Sequence, residues 1–189
     1  MNTLPFGEPD KRWTLFLDRD GVINERPPGD YVKKFSDFHF MPGVTQAIAH
    51  LSSVFGRIII VTNQQGIGKG LMSTEDLGSI HLSMADQIRK AGGQIDAVYH
   101  CPHKAEEGCD CRKPANGMFL QALEQFPAIR PEQSIMVGDT ASDVGFARNC
   151  GMYAVVVGES FPDEYHADYY SVDLSSFAMA LLNSLKKTT

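Results

Sequence analysis

The chain has 189 residues, 43% hydrophobic and 21% charged, with a formal net charge of −6 at pH 7. These are ordinary values for a soluble globular protein, and the acidic balance argues against a nucleic-acid or anionic-membrane surface. No apolar run is long enough for a membrane span, and the opening MNTLPFGEPDKRW lacks a signal-peptide core, so the expectation is one cytoplasmic domain over 1–189, a monomer by default, with a core that needs no staples.

Residues 1–12 are polar, with Pro5, Gly7 and Pro9, and read as a loose leader. A first strand is predicted over Thr14–Leu17. It opens on Asp18-Arg19-Asp20-Gly21. Residues two apart at a strand end point to one side, so Asp18 and Asp20 are forced together. Two carboxylates so placed repel unless a cation or a proton lies between them. That is poor for stability and suited to holding a divalent metal beside a nucleophile. A solvated acidic turn is the plain alternative.

Residues 24–41 are irregular, with Pro27, Pro28 and Gly29. A loop of that length in a compact domain is usually functional or mobile. Val44, Ile48, Leu51 and Phe55 recur at helical spacing after Pro42 and predict a helix over about 43–55. Arg57–Thr62 is an apolar strand of the kind buried on both faces of a parallel sheet. Thr62 and the turn Asn63-Gln64-Gln65-Gly66-Ile67-Gly68-Lys69-Gly70 offer a hydroxyl and backbone N–H groups near a helix start. This suits a phosphate, although strand-to-helix turns are often glycine-rich for structural reasons alone. The next helix starts near Ser73–Asp76, a capping box with Asp in place of Glu or Gln, and ends at Gly92-Gly93. A third strand is predicted over Ile95–Tyr99.

Cys101-Pro-His103 and Cys109-Asp-Cys111 then place three thiols and one imidazole in a single short loop, 101–111. In a reducing compartment this spacing points to metal before disulfide. Four such ligands complete a tetrahedral zinc site with no open position, so zinc here is expected to be structural. Closing the loop would hold Arg112 and Lys113, either of which could neutralise a phosphoryl group; two solvated charges are the alternative. A helix follows, marked by Met118, Phe119, Ala122, Leu123 and Phe126 and closed by Pro127. The strand Ser134–Val137 ends in Gly138-Asp139. There Asp139 could complete an oxygen-rich site for Mg²⁺ or serve as a helix N-cap, a role open also to Thr140 and Ser142. A helix to about Cys150, a strand over Tyr153–Val157 and a helix near Leu174–Leu185 finish the chain. Cys150 reads as a buried apolar residue. His39, His50, His81, His100 and His166 belong to no motif and read as incidental.

Strand and helix alternate throughout, which predicts an α/β fold: a doubly wound parallel sheet with helices on both faces and no second domain. In such sheets ligands bind beyond the carboxyl ends of the strands. Asp18/Asp20, Thr62/Asn63 and Asp139/Asp143 all fall at strand ends of that kind, the strongest pointer to an active site that the residues themselves supply.

Asp18-Arg-Asp20-Gly-Val, Thr62-Asn63, Lys113 and Gly138-Asp139-x-x-x-Asp143 resemble the four signatures of the haloacid-dehalogenase (HAD) phosphatase superfamily over roughly residues 14–157. Asp-Arg-Asp-Gly-Val-Ile-Asn, Thr-Asn-Gln-x-Gly-Ile and the cysteine loop joined to Arg-Lys-Pro resemble its zinc-bearing heptose bisphosphate phosphatase group, which includes the histidinol-phosphate phosphatase domain. The resemblance implies a Rossmann-like HAD fold without a large cap. It implies Mg²⁺-dependent removal of the C7 phosphate from D-glycero-D-manno-heptose 1,7-bisphosphate in surface-sugar synthesis. By it, Asp18 is the nucleophile that forms an aspartyl-phosphate, and Asp20 is the acid and then the base. Mg²⁺ lies on Asp18, the carbonyl of Asp20 and Asp139, with Asp143 in support. Thr62 and Lys113 hold the phosphoryl oxygens. Arg112, the loop around Arg26–Gly29 and Asn63, Gln64 and Gln65 meet the sugar, and Cys101, His103, Cys109 and Cys111 take zinc. The short gap between His103 and Cys109, and Thr140 where some relatives carry lysine, depart from the pattern and bear on which sugar phosphate or anomer is preferred. Rival expectations are a histidinol-phosphate phosphatase and a zinc-stabilised binding module without catalysis. A nucleic-acid end phosphatase would need a basic groove, and no Lys/Arg cluster supplies one.

Overall fold

A computed structural model describes residues 4–160 and 166–186. Six parallel strands form one sheet in the order β3-β2-β1-β4-β5-β6: β1 (Thr14–Leu17), β2 (Arg57–Asn63), β3 (Ala97–Cys101), β4 (Ser134–Gly138), β5 (Tyr153–Val157) and β6 (Tyr169–Ser171). The helices are α1 (Val44–Val54), α2 (Thr74–Lys90), α3 (Gly117–Gln125), α4 (Ala141–Cys150) and α5 (Leu174–Leu185). β1 is central, with Leu15 level with Ile58 of β2 and Ile135 of β4.

The pleat divides the apolar residues between two cores. Leu15, Leu17, Ile58, Ile60, Ile135 and Val137 face α1, α2 and α5, where Ile48, Leu51, Leu77, Ile80, Met84 and Phe177 meet them. Their neighbours Phe16, Ile59, Val61 and Met136 face α3 and α4, against Met118, Phe119, Ala122, Phe146 and Ala147. Both faces are covered, which is why the strands are apolar runs rather than alternating ones. Successive strands move outward from β1 to β3 and then restart on the other side with β4. The chain therefore changes direction between β1 and β4, and a crevice opens beyond the carboxyl ends there.

Local chemistry sets the helix starts. Ser73 Oγ accepts from the N–H of Asp76 at 3.0 Å, and Asp76 Oδ2 accepts from the N–H of Ser73 at 2.9 Å. Asp thus completes the capping box that Glu or Gln usually closes. Thr140 and Asp143 make the equivalent box at the start of α4, so Thr140, rather than Asp139, is the N-cap.

Three expectations change. The leader is not loose from Leu4 onward. Leu4 and Phe6 are buried, Phe6 meets Tyr153 and Phe177 edge-on, and Lys11 Nζ donates to the carbonyls of Ser52 and Phe55 at the end of α1. Average polarity over 1–12 masks two apolar anchors; residues 1–3 lie outside the described part. The third strand begins at Ala97, not Ile95, because its ladder runs from Ile59↔Ala97 to Asn63↔Cys101. β6 is too short for its period to show in the sequence, and it exists by pairing with Val155–Val157 of β5. Among the described residues no helix is long and apolar enough to cross a membrane.

Candidate active site

β1 and β4 end side by side, with Asp18 N–H donating to the carbonyl of Val137 at 2.9 Å. Asp18 and Asp139 follow directly, so the sheet register itself brings two carboxylates from distant sequence to one crevice. Gly21 lets them stay there. Its φ is +95°, and a Cβ at this position would lie 2.2 Å from Asp139 Oδ2. Burial pushes the Asp18 carboxyl up to about 6; the charge of Lys113 opposes the shift and that of Asp143 adds to it. Burial and then the charge of Asp18 push Asp139 up to about 7, with Arg26 opposing.

Lys113 is buried, and its Nζ has three oxygen partners: Asp18 Oδ1 at 2.9 Å, Asp143 Oδ1 at 2.6 Å and the carbonyl of Val61 at 2.8 Å. Desolvation alone would lower its pKa; the two carboxylates outweigh it and hold it above the ordinary lysine value. Asp143 uses its other oxygen, Oδ2, to cap α4 through the Thr140 N–H at 3.0 Å and hydroxyl at 2.6 Å. It thus fixes the lysine to the helix start. Asn63 fixes the lysine backbone: its Oδ1 accepts from the Lys113 N–H at 3.0 Å and its Nδ2 donates to the Lys113 carbonyl at 3.2 Å.

Asp20 sits in a denser network. Arg19 Nη2 donates to both of its oxygens at 2.9 Å, Asn24 Nδ2 to Oδ1 at 2.9 Å and Gln64 Nε2 to Oδ2 at 2.8 Å. Desolvation would raise this carboxyl, but the charge of Arg19 and the hydrogen bonds overcome it and hold the group below its ordinary range. Gln64 Nε2 also donates to Thr62 Oγ1 at 2.8 Å. Gln64, expected beside the sugar, is 1% exposed and stands behind the site, tying Thr62 to Asp20.

The sequence reading overlooks Arg19, Asn24 and His81. Arg19 is 0% exposed, and its Nη1 lies 3.2 Å from His81 Nε2. A charged residue between two aspartates looks like a surface turn. The signal available was phase: Leu15 and Leu17 lie on the sheet face covered by α1, α2 and α5, and Arg19 continues that phase to reach His81 on α2. Burial, followed by the charge of Arg19 and by His100, lowers the His81 pKa to about 3.

Asp18, Asp139 and Asp143 each offer an oxygen within 4.8 Å of the others. Three hard carboxylate oxygens, those of Asp18 and Asp143 buried and those of Asp18 and Asp139 raised in pKa, fit a divalent cation of the Mg²⁺ type. A cationic group already tests this position: Arg26 Nη2 donates to the Asp20 carbonyl at 2.8 Å and to Asp139 Oδ1 at 3.0 Å, and lies 3.9 Å from Asp18 Oδ2. Those are the three groups named from the sequence as Mg²⁺ ligands. Asp143 is drawn instead to Lys113. The second cluster is Cys101, His103, Cys109 and Cys111, whose ligand atoms also lie within 4.8 Å of one another. The Sγ atom of Cys109 stands 3.5 Å from those of Cys101 and Cys111, and His103 Nδ1 stands 3.2 Å from Cys111 Sγ. The edge of a tetrahedral zinc–thiolate site is about 3.8 Å, so four soft ligands already have the spacing of such a site.

A cleft of about 600 Å³ opens over these groups, lined by Asp18, Asp20, Thr62 and Lys113 and by Arg26, Gly29, Tyr31, Asn63, Gln65 and Arg112. All the expected substrate-side residues except Gln64 line it.

A family model described as HAD-hydrolase-like matches residues 110–174. The D-glycero-alpha-D-manno-heptose-1,7-bisphosphate 7-phosphatase of Mycobacterium tuberculosis (strain ATCC 25618 / H37Rv) is 44% identical over 138 residues, 73% of each chain. The D-glycero-beta-D-manno-heptose-1,7-bisphosphate 7-phosphatase of Vibrio cholerae serotype O1 is 42% identical over 145 residues, 73% of this chain and 76% of that one. The crystal structure of the D,D-heptose 1,7-bisphosphate phosphatase from B. bronchiseptica, complexed with magnesium and phosphate, superposes with a TM-score of 0.80 at 31% identity, covering 90% of this chain and 98% of that one.

Proposed function

The chain belongs to the HAD-like hydrolases, within their heptose bisphosphate phosphatase family, and from that membership we propose that it removes the C7 phosphate of D-glycero-D-manno-heptose 1,7-bisphosphate. The observation that carries the reading is Asp18: a carboxylate at a strand end, held by Lys113 at 2.9 Å and facing Asp139 across the crevice.

Asp18 attacks phosphorus and becomes an aspartyl-phosphate as the bond to the sugar oxygen breaks. Asp20 delivers the proton that the departing oxygen needs, then takes one from the water that hydrolyses the intermediate. The arriving phosphate dianion raises the Asp20 carboxyl toward the protonated form that this donation requires. Thr62 and Lys113 neutralise and orient the phosphoryl oxygens. Asp18, Asp139 and the Asp20 carbonyl would hold Mg²⁺, which when bound would supply further neutralisation of the transferring group. Cys101, His103, Cys109 and Cys111 would hold zinc, which would close the loop that leads into Arg112 and Lys113. Arg26 and Arg112, both lining the cleft, match the second phosphate of a bisphosphate.

That cationic wall disfavours the histidinol-phosphate reading, because an amine-bearing substrate calls for carboxylates there, and Asp30, the cleft acid outside the catalytic cluster, pairs with Lys33 at 2.9 Å. The intact Asp18, Asp20, Lys113 and Asp139 set argues against a binding module without catalysis. The enzyme acts as a cytoplasmic monomer, for which size exclusion should give about the chain mass of 20.8 kDa.

Phosphate release with Mg²⁺ should be measured on both anomers of the heptose bisphosphate, histidinol phosphate and an aryl phosphate. Both anomers belong in the panel because the named relatives divide between them. A heptose bisphosphate should be preferred by kcat/KM. Preference for histidinol phosphate would overturn the substrate, and no release from any of them would overturn the reaction.

A further inference from the structure

We infer that His81, a residue remote from substrate, is a positioning residue for acid catalysis, acting on Asp20 through Arg19. The inference rests on Asp20 as the general acid.

The geometry allows one arrangement of protons. Arginine has donors only, so at the 3.2 Å contact His81 Nε2 must be the acceptor. The imidazole is therefore neutral, with its proton on Nδ1. Arg19 then has one orientation. Its Nη1 is committed to His81, and its Nη2 lies 2.9 Å from both oxygens of Asp20. Its Nε lies 3.3 Å from Asp20 Oδ1. The arginine is fully buried, so water does not compensate a lost partner. Its main chain is also pinned, because its carbonyl accepts from the N–H groups of Val22, Ile23 and Asn24. The ring of His100 on β3 packs edge-on against His81, with centroids 6.3 Å apart, and steadies the imidazole on the side of the sheet. A line of contacts thus runs from β3 and α2 to the carboxyl of Asp20.

The step affected is the first proton transfer. As the Asp18–phosphorus bond forms, the pair of electrons in the breaking P–O bond passes to the sugar oxygen, and the Asp20 proton goes with it. An alkoxide leaving group needs that proton; a 4-nitrophenolate does not. An Asp20 carboxyl free to turn loses alignment with the leaving oxygen, so the defect should track the leaving group.

The test compares kcat/KM, which reports steps up to the phosphoryl-enzyme, for the heptose bisphosphate and for 4-nitrophenyl phosphate. His81→Leu removes the acceptor. His81→Gln places an amide oxygen near the former Nε2 and should rescue. His81→Asn keeps a polar side chain on α2 that stops short of Arg19, and should fail as leucine does even if leucine impairs folding. The account expects about a tenfold or larger loss on the bisphosphate for Leu and Asn, less than about threefold on the aryl ester, and recovery with Gln. Equal losses on both substrates, or no loss, would overturn it. Asp20→Asn is the control. If that variant shows no leaving-group dependence, the acid role of Asp20 fails; if it does while the His81 variants do not, only the positioning role fails.

Discussion

At the scale of residues, the site is a balance of buried charges. Asp18 and Asp139, raised to about 6 and about 7, carry their protons to higher pH in the native state than in the unfolded chain. A raised carboxyl contributes stability below its unfolded value near 4, and that contribution is lost as pH rises through 6 and 7. The metal-free protein should therefore lose stability over that window, and a divalent cation must displace protons to bind. Calorimetric titration with Mg²⁺ should show affinity weakening on acidification from pH 8 to 5.5, with proton release near pH 6; a flat profile would contradict the balance. Arg26 adds a competitor. Its guanidinium occupies the position proposed for the cation, between Asp139 and the Asp20 carbonyl, so on that proposal it must withdraw when metal arrives. Arg26→Gln should bind Mg²⁺ several-fold more tightly without substrate and show a raised KM with it. Unchanged affinity in the same titration would mean that the arginine does not compete. The motif residues were legible because their types and strand-end positions are unusual. Arg19, Asn24 and His81 were not, since nothing local distinguishes a buried polar partner from a surface one until the elements pack.

At the scale of elements, most of the chain follows its own pattern. β1, β5 and α5 have the predicted bounds, and α2 begins at its predicted capping box. These are places where local chemistry and burial agree. The departures come from pairing: β3 is set by the register of β2, and β6 exists only against β5. The cysteine loop is the element with the most direct bearing on the site. Cys101 ends β3, His103, Cys109 and Cys111 follow in the loop, and Arg112 and Lys113 come directly after Cys111. Metal analysis should find about one zinc per chain, and Cys109→Ser should lose it. Thermal unfolding of that variant should fall by several degrees, with a larger loss in kcat/KM than Ser73→Ala, which removes about 1 kcal/mol at the cap of α2. Zinc-free protein of undiminished stability and activity would remove the link between loop and site.

At the scale of the whole molecule, the central fact is convergence. The order β3-β2-β1-β4-β5-β6 gathers Asp18, Thr62, Lys113 and Asp139 at one end of the sheet, although they span more than half the chain. The alternation of strands and helices made that end predictable, and the sheet register converts it into contacts. What the pattern did not contain was the leader. Leu4 and Phe6 close the far side of the core, an effect of two residues that composition averages away. The most direct test of the proposed reaction is ³¹P NMR of the heptose 1,7-bisphosphate with enzyme and Mg²⁺. The C7 ester resonance should be replaced by inorganic phosphate while the C1 resonance persists, and Asp18→Asn should leave both signals intact. Loss of the C1 phosphate first, or turnover by Asp18→Asn at the wild-type rate, would contradict the assignment of Asp18 as nucleophile for the C7 phosphate.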